Sequence, residues 1–322
     1  MMEPSANSTR VEESFNLSGL IETIPEVSRM AEITTERLFS EDSSSLYSYH
    51  WVEIVNKIRE LYDQADGFVI LHGTDTMAYT ASAVSFALQG LTKPVIFTGS
   101  QVPLRNIRSD ARRNLINAIE MATYNIPEVA ICFNDQLYRG NCTTKISIGD
   151  FDAFESPNCH HLAEIGVQIS LSKYILTAPP ESQPEFFTHF RDNVHLIKLY
   201  PGFNPNNLKI IDNPHIEALV IEAFGTGNFP VKGPYNLLPF LEACTSHKKI
   251  VAITSQAVYD SVQLETYEGG RRALDHGVIS AGDMTTEACL TKFAYLLGKY
   301  DDPETIKQEF QRPLCGERNN SG

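Results

Sequence analysis

A threonine hydroxyl stands directly beside a carboxylate in the string His72-Gly73-Thr74-Asp75-Thr76. The string follows an apolar run at residues 68–71, which is typical of a strand covered on both faces. Side chains just past such a strand lie at its carboxyl end, where open α/β sheets bind ligands. Thr74 and Asp75 could therefore act on a bound ligand. They could equally cap the next helix, because threonine and aspartate are preferred N-cap residues.

Apolar runs and helical patterns alternate on both sides of this string. An amphipathic helix is predicted over residues 77–88, a strand over 95–98, a helix over 114–124 and a strand over 129–133. This alternation predicts β-α-β units with parallel strands. Later apolar runs, which predict a second set of strands, lie at residues 194–200, 218–221 and 250–254. With 322 residues, two domains are a better prediction than one.

Composition excludes several classes of protein. A net charge of −14 argues against a nucleic-acid partner, because binding phosphates needs clustered lysine and arginine. No run of about 18 apolar residues and no charged-then-apolar amino terminus occurs, which argues against a membrane span and a secretory signal. The six cysteines form no Cys-x-x-Cys pair, and Cys159-His160-His161 has no further ligand at metal spacing. A cytoplasmic protein without a metal site is the resulting prediction.

Four strings with polar residues at turn positions follow one another in the first half of the chain. They are His72-Gly73-Thr74-Asp75-Thr76-Met77-Ala78-Tyr79, Thr98-Gly99-Ser100-Gln101-Val102-Pro103, Arg108-Ser109-Asp110, and Tyr138-Arg139-Gly140-Asn141-Cys142-Thr143-Thr144-Lys145. Three more are Phe151-Asp152-Ala153-Phe154 with Ser156-Pro157-Asn158, Phe224-Gly225-Thr226-Gly227-Asn228, and Gly282-Asp283-Met284-Thr285. In this order the strings resemble the asparaginase family, closest to its cytoplasmic, bacterial type I-like branch.

The resemblance implies catalytic roles for three residues. In the family, threonine, aspartate and lysine at these motif positions form one of two catalytic triads, and Thr74, Asp75 and Lys145 match them. A threonine hydroxyl is a weak nucleophile that needs a neighbouring base. A lysine buried beside a carboxylate could supply that base or relay the proton. The alternative for Lys145 is an ordinary solvated surface lysine.

A substrate-binding turn is implied at Asp42, Ser43 and Ser44. The family places a serine-containing turn of this kind against the α-carboxylate of the amino-acid substrate. Here the string continues Ser45-Leu46-Tyr47, where family members usually show Asp-Met. Ser43 and Ser44 could instead be N-cap residues of the helix predicted around residues 51–58.

The family resemblance further implies an α/β protein of two domains. A larger N-terminal domain at residues 1–179 is expected to hold a mostly parallel sheet flanked by helices. A proline-rich linker at 180–193 is expected to lead to a smaller C-terminal α/β domain at 194–322. The implied reaction is hydrolysis of L-asparagine to L-aspartate and ammonia, with no metal or organic cofactor. A homodimer or homotetramer is also implied, with the 224–228 turn approaching the site of a neighbouring subunit.

One family feature is missing from these 322 residues. Family members begin with an apolar strand running into Thr-Gly-Gly-Thr, whose first threonine is the primary nucleophile, and then a lid with a catalytic tyrosine. This chain begins with a polar segment, and family-like sequence starts near Leu17-Ser18-Gly19. The expectation is impaired turnover and a sheet that lacks one central strand. The alternative to an impaired asparaginase is a noncatalytic protein that binds aspartate or asparagine, or joins active subunits.

Overall fold

The computed structural model describes residues 24–177 and 183–319, together with the backbone of residues 3–4 and 11–12. The family-like segment near Leu17 and the first residues of the expected linker, 180–182, lie outside the described residues. Contacts divide the chain into two units. The first unit is the described part up to Ser156 with His160–Thr188, and the second unit is Pro157–Cys159 with the described residues from His189 onward.

The first unit contains ten strands and three α-helices among its described residues. The strands are β1 (Glu3–Pro4), β2 (Val11–Glu12), β3 (Phe68–Leu71), β4 (Val95–Thr98), β5 (Val129–Phe133), β6 (Gln136–Arg139), β7 (Thr144–Lys145), β8 (Phe154–Glu155), β9 (Ala163–Ile165) and β10 (Ile169–Leu171). The helices are α1 (Ser48–Leu61), α2 (Met77–Ala87) and α3 (Ala111–Met121), with 3₁₀ turns at Val27–Arg29 and Ser43–Ser45.

The main sheet of this unit has six strands in the order β10-β9-β6-β5-β4-β3. Strands β3, β4 and β5 pair in parallel, while β6, β9 and β10 continue the sheet through antiparallel pairs. Four of the six strands, β3, β4, β5 and β9, therefore run in the same direction, which confirms a mostly parallel sheet. Two further strand pairs, β1 with β2 and β7 with β8, are antiparallel. Within the described residues, β3 forms one edge of the main sheet.

The centre of the sheet is apolar on both faces. Every residue of β4 and β5 is buried, as the apolar runs at 95–97 and 129–133 predict, and the buried Thr98 hydroxyl donates to the Cys132 oxygen at 2.8 Å. Helix α2 packs on β5 and against α1. The prediction that α2 is amphipathic is wrong, because every residue of the helix except Tyr79 is buried. Its alanines, serines and single threonine are small enough to let neighbouring elements approach from all sides.

The second unit contains a four-stranded, wholly parallel sheet among its described residues. Its strands are β11 (Val194–Lys198), β12 (Ala218–Ala223), β13 (Ile250–Ser255) and β14 (Ile279–Ser280), which lie in this order in the sheet. Its helices are α4 (Leu238–Ser246), α5 (Glu268–Asp275), α6 (Thr286–Lys299) and α7 (Pro303–Gln311), with 3₁₀ turns at Pro205–Asn207, Gly233–Tyr235 and Leu264–Thr266. The predicted two-domain α/β class is thereby confirmed.

A glycine-rich turn follows β12, as in many parallel sheets. Phe224 and Asn228 close it through a backbone bridge, and Gly227 has φ +99°. A Cβ atom at Gly227 would lie 2.8 Å from Val262 Cγ1 and 2.9 Å from Leu264 Cδ2. Both the positive φ and the tight packing therefore require glycine at this position.

Candidate active site

Thr74 and Asp75 lie in the turn between the end of β3 and the start of α2. The helix begins at Met77, and its N-cap residue is Thr76. Thr74 and Asp75 precede that cap, and their side chains bond to Lys145 instead. The alternative that they serve as helix caps therefore does not describe this structure.

Lys145 reaches the turn from a short antiparallel strand pair. In this pair, Thr144 of β7 lies opposite Glu155 of β8, and Lys145 lies opposite Phe154. The Phe154 ring is buried and packs edge-on against the Phe133 ring at the end of β5, with ring centroids 5.0 Å apart. Packing of Phe154 in the core thereby fixes the backbone from which the lysine side chain extends.

The structure brings the three predicted catalytic side chains into direct contact. Lys145 Nζ donates hydrogen bonds to Thr74 Oγ1 at 2.8 Å and to Asp75 Oδ1 at 2.6 Å. The Lys145 side chain is 15% exposed and that of Asp75 is 63% exposed. Lys145 is therefore mostly buried rather than solvated, while the Asp75 carboxylate remains open to a ligand. The arrangement can hold and relay a proton between a hydroxyl group and a carboxylate.

Gln101 is a fourth side chain of this cluster, and no role was predicted for it. Thr74 Oγ1 donates to Gln101 Oε1 at 3.1 Å. The two oxygens of the Asp110 carboxylate accept hydrogen bonds from the Gln101 and Val102 N–H groups, each at 3.0 Å. Gln101 and Asp110 both lie in strings that resemble the family. That position is the sequence signal that could have identified them as residues of the site. The hydroxyl–amide contact itself joins residues 27 positions apart.

The predicted substrate-binding turn adjoins the Thr74 turn. Ser43 is buried, and its carbonyl oxygen accepts a hydrogen bond from Thr76 Oγ1 at 2.7 Å. A Cβ atom at Gly73 would lie 2.6 Å from Ser43 Oγ, so glycine permits this close approach. The predicted site residues Asp42, Ser43 and Ser44 thus come next to the predicted catalytic residues. Their roles in binding substrate stay predictions.

Hydrogen bonds within the 42–45 segment account for part of the conformation of this turn. The Asp42 carboxyl accepts a hydrogen bond from the Ser44 N–H at 2.8 Å and caps the 3₁₀ turn Ser43–Ser45. Hydrogen bonds from the Ser44 hydroxyl and N–H hold the pKa of the Asp42 carboxyl below its ordinary value. Helix α1 has Tyr47 as its N-cap residue, and the Tyr47 N–H donates to His50 Nδ1 at 3.2 Å. Ser43 and Ser44 are therefore not the caps of α1.

His72 is a buried, neutral imidazole at the start of the Thr74 turn. Burial lowers the pKa of His72 from 6.5 to about 4, and a hydrogen bond to the Gly73 carbonyl only partly opposes this effect. His72 Nδ1 lies 2.7 Å from the Gly73 carbonyl oxygen, which can only accept, so Nδ1 carries the proton. Among the described residues, His72 Nε2 has no hydrogen-bond partner.

The depressed pKa of His72 predicts a loss of stability in mild acid. Between pH 6.5 and about 4 the unfolded chain binds a proton at His72 that the folded chain does not. The free energy of unfolding therefore falls as the pH decreases through this window, by about 3 kcal/mol in total from this group. Urea unfolding at pH 7.5 and 4.5 should show a smaller pH effect in His72→Gln. An equal pH effect in both proteins would contradict the prediction.

A metal-binding cluster and a membrane-spanning helix are both absent from the described part of the chain. No group of three or more histidine, cysteine, aspartate or glutamate side chains there could hold a metal ion. No helix among residues 24–177 and 183–319 is long and apolar enough to cross a membrane.

Comparison with known proteins places both units in one family. Residues 1–176 match the family description "Asparaginase, N-terminal", and residues 193–310 match "Glutaminase/Asparaginase C-terminal domain". The chain is 41% identical over 280 residues to L-asparaginase 1 of Escherichia coli K12, covering 86% of this chain and 81% of the relative. It is 37% identical over 287 residues to L-asparaginase of Thermococcus kodakarensis, covering 89% and 86%.

A solved structure agrees with these sequence relatives. The crystal structure of L-asparaginase I from Vibrio cholerae superimposes with a TM-score of 0.87, at 37% sequence identity. The superposition covers 98% of this chain and 95% of the Vibrio cholerae chain. Similarity therefore extends over both domains in sequence and in fold. The chain belongs to the asparaginase family.

Proposed function

We propose that this chain hydrolyses the side-chain amide of L-asparagine, giving L-aspartate and ammonia, and that Thr74, Asp75 and Lys145 carry the proton transfers. Asparagine hydrolysis is supported at the level of the family by its L-asparaginase relatives. The observation that carries the proposal for this chain is the position of Lys145 Nζ, within hydrogen-bond distance of both Thr74 Oγ1 and Asp75 Oδ1.

Amide hydrolysis needs a proton to leave the attacking hydroxyl group and a proton to reach the departing nitrogen. A mostly buried lysine in contact with both a hydroxyl and a carboxylate can relay a proton between them and on to the departing nitrogen. Backbone N–H groups near the turn would stabilise the oxyanion that develops on the amide oxygen. The overall reaction consumes one water molecule, since asparagine and one water give aspartate and ammonia.

The α-carboxylate of the substrate is assigned to the turn at Asp42, Ser43 and Ser44. This assignment is supported by the adjacency of the turn to Gly73 and Thr76: a Cβ atom at Gly73 would lie 2.6 Å from Ser43 Oγ, and Thr76 Oγ1 donates to the Ser43 oxygen. Asparagine is short, so its α-carboxylate and side-chain amide can be held only by neighbouring turns.

A second candidate function is binding of aspartate or asparagine without turnover. The observation that favours it is the direction of the hydrogen bonds at Thr74. Its hydroxyl donates to Gln101 and accepts from Lys145, so Lys145 acts here as a hydrogen-bond donor, which suits it to hold the carboxylate of a bound aspartate. A calorimetric titration with aspartate would detect such binding independently of ammonia release.

Ammonia release from L-asparagine by the purified 322-residue chain tests the proposal. We expect impaired turnover, and we expect Thr74→Val to lower it further by about 10²-fold because the hydroxyl between Lys145 and Gln101 is lost. Thr305→Val is the matched control, because it removes a hydroxyl that donates a hydrogen bond to the Asp302 carboxylate at the start of α7. Binding of aspartate without ammonia release would reject hydrolysis in favour of the second candidate.

The nucleophile can be identified by comparing the 322-residue chain with a version extended at its amino terminus by a family-type Thr-Gly-Gly-Thr segment. Equal turnover in both versions, abolished by Thr74→Val, would assign the attack to Thr74 or to a water beside it. Turnover only in the extended version would assign the attack to the added threonine, with Thr74, Asp75 and Lys145 as its proton relay.

Location and assembly complete the proposal. A cytoplasmic protein that assembles as a homodimer or homotetramer is expected from the family resemblance and the composition. Light scattering at several protein concentrations would measure the mass in solution, and a monomer at every concentration would reject the assembly.

A further inference from the structure

The Gln101 side chain is held by two main-chain carbonyl groups as well as by Thr74. Its Nε2 donates to the Ser147 oxygen at 3.2 Å and to the Asp150 oxygen at 3.1 Å. Both acceptors belong to the loop that follows Lys145. Gln101 thus connects the Thr74 turn to the loop that follows Lys145, through a single amide.

Carbonyl oxygens can only accept hydrogen bonds, so the amide of Gln101 has one favourable orientation. Rotating it by 180° would place Gln101 Oε1 against the oxygens of Ser147 and Asp150. In the favourable orientation Oε1 faces Thr74 Oγ1 at 3.1 Å, and an amide oxygen there must accept the hydroxyl proton. The direction of the Thr74 hydroxyl is therefore set by the backbone of the 147–150 loop.

This direction determines what Thr74 presents to Lys145. With its proton turned toward Gln101, Thr74 Oγ1 directs a lone pair at Lys145 Nζ and accepts at 2.8 Å. A second bond, to Asp75 Oδ1 at 2.6 Å, completes the anchoring of the ammonium group. The chain of hydrogen bonds thus runs in one sense, from Lys145 through Thr74 to Gln101.

We propose that Gln101 is a positioning residue that fixes the direction of the hydrogen-bond chain through Thr74 and thereby holds Lys145 in place. The inference deepens the proposed hydrolysis and rests on it for its kinetic consequences. Its structural consequence, the anchoring of Lys145 Nζ, is measurable whether or not the chain turns over asparagine.

Gln101→Met keeps the length of the side chain and removes both the acceptor and the donors. We expect kcat for asparagine to fall about tenfold, with KM changed less than about threefold, because the loss affects the reacting groups and not the substrate turn. Gln89→Met is the matched control, since Gln89 also donates to a main-chain oxygen, that of Phe86, at the opposite end of α2. An unchanged kcat in Gln101→Met, or an equal fall of kcat in Gln89→Met, would overturn the kinetic consequence of the proposal.

Reactivity of the Lys145 amine tests the anchoring directly. The rate of its acetylation by an amine-reactive ester, followed by mass spectrometry, should rise about fivefold in Gln101→Met, as one weakened hydrogen bond implies. The same substitution should add nothing in a Thr74→Val background, because Gln101 acts through the Thr74 hydroxyl. An unchanged rate, or equal increases in both backgrounds, would overturn the proposal.

These two readouts separate the inference from the proposed function. If the wild-type chain releases no ammonia, the proposed hydrolysis is rejected. The acetylation rates of Lys145 in the wild-type and Thr74→Val backgrounds then still test the role of Gln101. If ammonia is released and the acetylation rates show no coupling between Gln101 and Thr74, hydrolysis stands and the positioning role is wrong.

Discussion

Lys145→Met is expected to lower kcat for L-asparagine by about 10³-fold, within the range that a positioned acid–base group contributes. Methionine reproduces the lysine side chain as far as Cε and lacks the ammonium group, so the Thr74 hydroxyl and the Asp75 carboxylate lose the group that joins them. No other lysine or arginine forms an ion pair with Asp75 among the described salt bridges. The loss should therefore fall on the chemical step and leave KM within about threefold.

Two further variants test whether the loss of kcat is specific to the Lys145 amine. Lys57→Met removes a lysine that pairs with Glu60 on the surface of α1, and its kcat should equal that of the wild type. Lys145→Arg keeps the positive charge, but a guanidinium cannot give up its proton and has a different shape. It should therefore be nearly as impaired as Lys145→Met. Full activity in Lys145→Arg would show that only charge is needed, which would exclude proton relay by Lys145.

Much of the fold can be predicted from apolar runs. The strands at residues 68–71, 95–98 and 129–133 have the predicted limits, because short apolar runs between turn residues leave little choice of register. Helix α3 begins three residues before its predicted start, at Ala111. Its first turn contains two arginines and lies outside the apolar pattern, so periodicity alone could not locate the start.

The contact among Thr74, Asp75 and Lys145 could be anticipated only through the family resemblance. Lys145 is 71 residues from Thr74, and no local pattern links them. Gln101 was missed as a participant for a physical reason, since its orientation depends on main-chain oxygens of Ser147 and Asp150. Backbone acceptors carry no sequence signature, because every residue has one.

A buried ion pair in the second unit is the other feature that sequence could not reveal. The side chains of Lys292 on α6 and Glu317 near the end of the described chain are fully buried and in contact. Lys292 Nζ also donates to the Phe310 oxygen at 2.8 Å and to the Arg312 oxygen at 2.6 Å. Lysine and glutamate are rarely buried, so composition and periodicity predict both on the surface.

Glu317 is satisfied by backbone donors as well as by Lys292. Its carboxylate accepts hydrogen bonds from the Leu314 N–H at 3.0 Å and the Cys315 N–H at 2.9 Å. Burial lowers the pKa of Lys292, and the neighbouring Glu317 carboxylate opposes this effect. All three ammonium protons have an acceptor, so the pair is a satisfied network that anchors the residues after α7.

Removing one member should cost far more than removing both. Glu317→Gln leaves a buried ammonium without its counter-ion, and Lys292→Met leaves a buried carboxylate, so each should lower the free energy of unfolding by about 3–5 kcal/mol. The double variant should be less destabilised than either single variant, because neither charge is then left alone. Urea unfolding followed by circular dichroism measures all three.

Lys307→Met is the control for this prediction. Lys307 pairs with Glu304 at 2.8 Å on α7, where the Glu304 side chain is 70% exposed. Its loss should cost less than about 1 kcal/mol, since the exposed Glu304 carboxylate stays hydrated when its partner is removed. If Glu317→Gln destabilised the protein no more than Lys307→Met, the buried pair would contribute nothing beyond a surface pair. The segment after α7 would then be held by Asn319, whose N–H and side-chain amide donate to the Asp283 carboxylate.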